Sequence, residues 1–196
     1  MECISRGENV GKTIHTIGCC GLDCVLCPRY YTDGASRCPG CCGANFENKH
    51  PSCSFITCCV GRHGLEVCAD CSEFPCGKFD RETGERDSFV THRKVIANQK
   101  LIQQIGIDAF LGQQAKRTAF LQTALDHYDD GRSKNFYCLA AALLSVESLD
   151  EAVRMAGEER QWQPELNNNI KDRVKMMKDL LTRFAGIEEQ ELKLRK

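Results

Sequence analysis

Cys19-Cys20-Gly21-Leu22-Asp23-Cys24-Val25-Leu26-Cys27-Pro28 opens a block that closes with Cys68-Ala69-Asp70-Cys71-Ser72-Glu73-Phe74-Pro75-Cys76. Between them stand Cys38-Pro39-Gly40-Cys41-Cys42, Cys53 and Cys58-Cys59. The chain has 15 cysteines in 196 residues, and 13 of them fall between Cys19 and Cys76. Three steps are C-x-x-C: Cys24 to Cys27, Cys38 to Cys41, and Cys68 to Cys71. Two thiols at that spacing can face one ion across a tight turn, and a four-thiolate site needs two such halves. Ten patterned thiols are therefore candidate metal ligands: Cys20, Cys24, Cys27, Cys38, Cys41, Cys53, Cys58, Cys68, Cys71 and Cys76. They suffice for two sites. Cys19, Cys42 and Cys59 each adjoin another cysteine, and with Cys3 they read as spares.

Glycine and proline interrupt this block every few residues, from Gly18 through Pro28, Pro39, Gly40, Gly61 and Gly64 to Pro75. Long elements are excluded. Short helical turns fit Leu22–Tyr31 and Ile56–Arg62, with a few two-stranded knuckles. So few consecutive apolar residues cannot build a core, so metal is expected to supply much of the folding energy here, as in zinc fingers.

Ahead of the block, Gly7-Glu8-Asn9-Val10-Gly11-Lys12-Thr13 is one residue short of a phosphate-binding loop, and no strand precedes it. It reads as a polar lead-in. Beyond the block, residues 77–88 are polar and mark an expected boundary. From there the apolar period becomes helical. Ser88 is expected to cap a helix stopped by Gly106, and Asp108 a second ended by Gly131. Ser133 is expected to cap a third, and Ser148-x-x-Glu151 to form a capping box opening a fourth. Trp162 and Pro164 read as a connector. Ile170, Val174, Met177, Leu181 and Phe184 give the last helix the cleanest stripe. Residues 190–196 read as a short strand or a frayed end. The expected architecture is a small metal-stapled cysteine-rich module, residues 1–80, followed by an all-α bundle of about five helices, residues 81–196.

Net charge is −1, with 7 Lys and Arg against 9 Asp and Glu in residues 1–80. Neither half carries the basic excess that binding a phosphate backbone demands, so nucleic acid is disfavoured as a partner. No apolar run reaches membrane-spanning length, and charges interrupt the first residues where a signal peptide would be apolar. A cytoplasmic setting is expected, in which clustered thiols hold metal rather than pair as disulfides.

Three chemistries compete for the cysteines. Structural zinc suits the C-x-x-C turns, with His50 and His63 as substitute ligands that the thiol count makes unnecessary. An iron–sulfur cluster suits Cys20-x3-Cys24-x2-Cys27 and the following Pro28. Thiol redox chemistry wants a C-x-x-C at a helix start in a βαβ pattern, which is not seen here. Cys138, in a helical stretch, reads as a buried inert thiol, with His127 as the one nearby base by sequence.

Cys20-Gly21-Leu22-Asp23-Cys24-x-x-Cys27-Pro28-x-Tyr30 resembles the opening of the uncharacterised prokaryotic family called domain of unknown function 3795. The resemblance continues through Cys38-Pro39-Gly40-Cys41, Cys53, Cys58 and Cys68-x-x-Cys71-x-x-x-Pro75-Cys76, over about residues 18–80. It implies a helical second half and no particular activity. The doubled thiols at 19, 42 and 59 depart from the family's pattern. The expectation for function is a metal-binding module, structural zinc shaping a surface for a protein partner. The alternative is an iron–sulfur protein serving electron transfer.

Overall fold

The computed structural model describes residues 11–50, 52–82, 86–163, 165 and 169–196. Gly7 to Val10, Cys3 and Pro164 lie outside the described residues. The chain is helical: α1 (Ser54–Cys59), α2 (Gly77–Glu82), α3 (Val95–Ile105), α4 (Ile107–Tyr128), α5 (Lys134–Leu143), α6 (Val146–Trp162) and α7 (Ile170–Ile187). No strand forms among the described residues, and the expected knuckles reduce to one isolated antiparallel bridge, Ile17 with Asp23.

Contacts divide the chain into two compact units, one reaching Phe110 and taking in Arg195 and Lys196, the other Leu111–Leu194. The polar stretch 77–88 lies inside the first unit. The reason is α3. Its Asn98 side chain donates to the Gly21 carbonyl (2.9 Å) and to the Asp23 carboxylate (2.8 Å). Gln99, fully buried, donates to the Cys19 carbonyl (2.7 Å) and accepts from the Ala69 N–H (2.5 Å). Gln103 donates to the Ala69 carbonyl at 2.9 Å. Loops without a ladder of their own have orphan backbone groups, and these carboxamides satisfy them.

A small core also exists in the cysteine block, where none was expected. Cys19, Cys41, Phe55, Cys59, Val60 and Phe79 pack with Val95 from α3. Phe79 meets Phe55 and Phe74 at ring-centre distances of 4.9 and 5.0 Å. Residues 12–14, ahead of the block, are strapped to Glu66. Lys12 Nζ donates to the Glu66 carbonyl (2.7 Å), and the Glu66 carboxylate accepts from the Thr13 and Ile14 N–H groups.

Several helix starts move from their expected places. Ser88 does not cap α3; the Asp87 carboxylate takes N–H and hydroxyl bonds from His92 and Thr91, holding residues 88–94 out of a helix. Gly106 ends α3 as expected, with φ 82°. α6 begins at Val146, because Ser145 is its cap and accepts from the Ser148 N–H at 3.2 Å. Trp162 is the last residue of α6, not a connector, and is 84% exposed. Residues 190–196 form neither strand nor helix.

In the second unit, Tyr137, Leu144, Leu149, Met177 and Leu181 are fully buried, so the stripe on α7 faces inward as its period predicts. Tyr137 donates its hydroxyl to the Tyr128 carbonyl (2.6 Å), and Arg117 donates to the Ala141 and Leu144 carbonyls that end α5. Cys138 is 2% exposed within α5.

Candidate metal centres

Two of the C-x-x-C steps fold alike. Cys24–Leu26 and Cys68–Asp70 are single 3-10 turns, and the N–H of Cys27 or Cys71 bonds back to the carbonyl of Cys24 or Cys68. Cys27 sits at φ −81°, ψ 135° and Cys71 at φ −84°, ψ 132°. A tight turn followed by one extended residue is how a C-x-x-C brings two sulfurs to one side. The third step, Cys38 to Cys41, turns on Gly40 at φ 87°, where any Cβ would collide with the His15 carbonyl. The Cys41 N–H then bonds to that same His15 carbonyl at 2.9 Å.

The ten patterned thiols separate into six and four. Cys20, Cys24, Cys27, Cys38, Cys41 and Cys53 line a wide cavity of about 350 Å3. Cys58, Cys68, Cys71 and Cys76 line a narrow one of about 30 Å3. The divider is α1. Cys53 is its cap residue and faces the wide cavity, while Cys58, in its last turn, faces the narrow one. The Cys53-x4-Cys58 step is thus split between cavities, and Phe55 forms part of both walls.

His63 lines the narrow cavity and His50 the wide one, where His50 stacks on Phe46 with ring centres 4.7 Å apart. Five wall residues of the wide cavity escape a reading of the cysteine block alone: Ser88, Phe89, Val90, His92 and Val95 lie beyond it. Asn98-Gln99, two carboxamides between the apolar Val95 and Ile102, were the signal in the sequence that this helix serves buried loops. Arg29, Phe89 and Lys49 also contribute to the wide cavity's wall, and the Arg29 guanidinium lies 5.6 Å over the Phe89 ring.

Electrostatically three thiols of the wide cavity, Cys20, Cys24 and Cys27, favour the neutral form. Burial pushes Cys20 up to about 12 and also raises Cys24 and Cys27, with neighbouring thiols adding to the effect. A cation reverses that balance, since thiolate–metal bonds replace protons. Donor chemistry and burial therefore fit soft metal ions. Among the described residues, no group of three or more Cys, His, Asp or Glu side chains already stands in metal-holding geometry. No disulfide joins any of the fourteen described cysteines.

The doubled thiols are not at the margin. Cys19 is 1% exposed and Cys59 3% exposed. Cys19 Sγ lies 3.8 Å from Cys41 Sγ, and Cys59 donates to the Leu65 carbonyl at 3.3 Å. Hydrogen bonding within the Cys19–Cys41 pair raises Cys19 and lowers Cys41.

No helix of the described residues is long and apolar enough to cross a membrane. No family model matches the chain, and comparison with curated proteins and with solved structures gives no match.

Proposed function

We propose that the chain is a metal protein with two unlike centres, a single zinc ion in the narrow cavity and an iron–sulfur cluster in the wide one. The observation that carries this reading is the division of the patterned thiols into sets of six and four around cavities of about 350 and 30 Å3. Zinc bound by four thiolates at about 2.3 Å leaves no internal space, which suits Cys58, Cys68, Cys71 and Cys76 closing on one ion. A cluster carries its own iron and sulfide, and so needs a cavity as well as four thiolates. Cys20, Cys24 and Cys27, with a fourth ligand from Cys38 or Cys53, meet that need. The cluster supplies one-electron chemistry, while Phe46, Phe55 and Val95 shield it from water and so bear on its potential. The narrow centre acts as a staple, tying α1 to the 68–76 loop.

The test is metal and acid-labile sulfide analysis, with an absorption spectrum, on protein purified without oxygen. Iron and sulfide in equal amounts, about four each per chain, together with zinc support the reading. Colourless protein containing zinc alone removes the cluster and returns both cavities to structural zinc. Protein with no bound metal removes the proposal altogether.

A further inference from the structure

The wide cavity has more on its wall than thiols. Apart from cysteine, the titratable side chains lining it are Arg29, Lys49, His50 and His92, and among the described residues no Asp or Glu lines it. The whole chain has 27 Asp and Glu against 26 Lys and Arg, so this wall is biased toward positive charge. The four groups come from three distant stretches. Arg29 belongs to the turn Pro28–Tyr31, Lys49 and His50 follow the turn Phe46–Asn48, and His92 lies in the segment that Asp87 holds out of a helix.

Arg29 and Lys49 have unused donors. Among the described residues neither side chain makes an ion pair or a hydrogen bond. The Arg29 guanidinium is instead stacked over the Phe89 ring at 5.6 Å. Stacking engages the face of a guanidinium and leaves its N–H edge, the fork that grips carboxylate or phosphate oxygens. By contrast Arg93 and Arg195, on either side of Asp87, both reach its carboxylate. Each histidine adds a ring N–H donor.

The rest of the wall sets the kind of anion. Phe46, Phe55, Ile56 and Val95 line the same space, and its volume of about 350 Å3 falls in the roughly 300–1,000 Å3 range of small-molecule sites. A simple inorganic anion would leave the apolar side chains unused.

We propose that the wide cavity binds a small organic anion, with Arg29 and Lys49 holding its carboxylate or phosphate group and Phe46, Phe55 and Val95 packing its apolar part. This inference rests on the wide cavity being the working centre, but not on which metal its thiols hold.

The experiment is calorimetric titration of benzoate and of phenyl phosphate into the full chain, purified without oxygen, with metal and sulfide analysis of the same sample. Inorganic phosphate and phenol present the two halves of each probe separately. The expected result is one site per chain for at least one organic anion, weakened by added salt. Inorganic phosphate and phenol should each bind at least about tenfold more weakly than that anion, since each lacks half of its contacts. The tighter of the two organic probes tells a carboxylate ligand from a phosphate ester. Arg29→Gln and Lys49→Gln should each weaken binding by about tenfold, the effect of one charge-assisted hydrogen bond. Arg62→Gln, which removes an exposed cation outside the cavity wall, should change nothing. Arg29 stands two residues from Cys27, so if its variant sheds metal, Lys49→Gln decides. Absence of saturable binding, or binding that Lys49→Gln leaves at full strength, overturns the site. Metal loss from the variants, with no probe bound by the unaltered chain, assigns the cations to balancing thiolate charge and also overturns it. Binding by a chain that contains no metal removes the two-centre reading and leaves the anion site; metal without binding does the reverse.

Discussion

Gln99 of α3 donates its amide N–H to the Cys19 carbonyl at 2.7 Å, joining residues 80 apart in sequence. Its other amide atom accepts from the Ala69 N–H, so one buried side chain satisfies two loops of the cysteine block. Gln99→Leu strands both backbone groups without opening a cavity. Each buried unsatisfied group costs about 1–3 kcal/mol, so a loss of about 2–6 kcal/mol is expected in denaturant unfolding. A loss below about 0.5 kcal/mol, the range of an uninvolved surface change, would show that α3 does not hold these loops.

Gly21 lies directly beneath that contact. Its φ is 95°, and an added Cβ would stand 2.5 Å from the Val95 carbonyl and 2.8 Å from Gln99 Cγ. Gly21→Ala is therefore expected to cost more than the roughly 1–2 kcal/mol of a left-handed residue. It should also lower metal content, since Cys20 and Cys24 move with the turn. Wild-type stability with full metal would count against the close approach.

The division of thiols predicts selective loss. Cys71→Ser should remove zinc from the narrow centre and leave the visible spectrum intact, while Cys24→Ser should abolish the spectrum. Absorption together with zinc analysis reads both. Equal loss of both metals in either variant would mean that the cavities do not load independently.

Asp87 supplies a pH test. Burial alone would raise its carboxyl, but N–H bonds from Arg195 and His92 and the Arg195 guanidinium outweigh burial and hold it at about 2. The unfolded value is about 3.9, so the folded value is the depressed one. Its contribution, on the order of 2 kcal/mol, is then complete above about pH 4 and disappears as pH falls toward 2. Asp87→Asn should be less stable than wild type at pH 6, with the difference closing near pH 2. A difference independent of pH over that range would rule out the charge as its source.

Stripping metal should loosen the first unit before the second, because their sources of stability differ. The first draws its core in part from thiols, Cys19, Cys27, Cys41 and Cys59, and from short turns rather than long helices, whereas α5, α6 and α7 bury Tyr137, Leu149, Met177 and Leu181 completely. A fragment of residues 107–194 is expected to be helical by circular dichroism without metal. A longer fragment, residues 85–196, would additionally carry α3, whose Val95, Gln99 and Ile102 are buried in the full chain and would lack their loop partners. Its α3 segment should therefore exchange amide hydrogens freely. Strong protection there would mean that α3 belongs with the later helices.

The sequence by itself determined the elements governed by local rules. The period of Val174, Met177 and Leu181, the stop at Gly106 and the C-x-x-C turns at Cys24 and Cys68 depend on neighbours within a few residues, and residue type conveys that directly. The start of α6 was misplaced by a short interval, because Ser145 and Ser148 are both good caps and the choice depends on the Glu188 carboxylate that binds Ser145. Which thiols share a cavity was a different kind of question. Spacing left open whether Cys53 and Cys58 share a site, and α1, with Cys53 as its cap and Cys58 in its last turn, sets them on the walls of different cavities. Cys19 and Cys59 read as spares because a row of letters records adjacency along the chain, while their place in the core arises from loops returning across tens of residues. Lys12 with Glu66, Gln99 with Cys19, and Asp87 with Arg195 are the same case. Each pairs groups far apart in sequence whose approach depends on the packing of everything between them. Only the tertiary structure sets that packing.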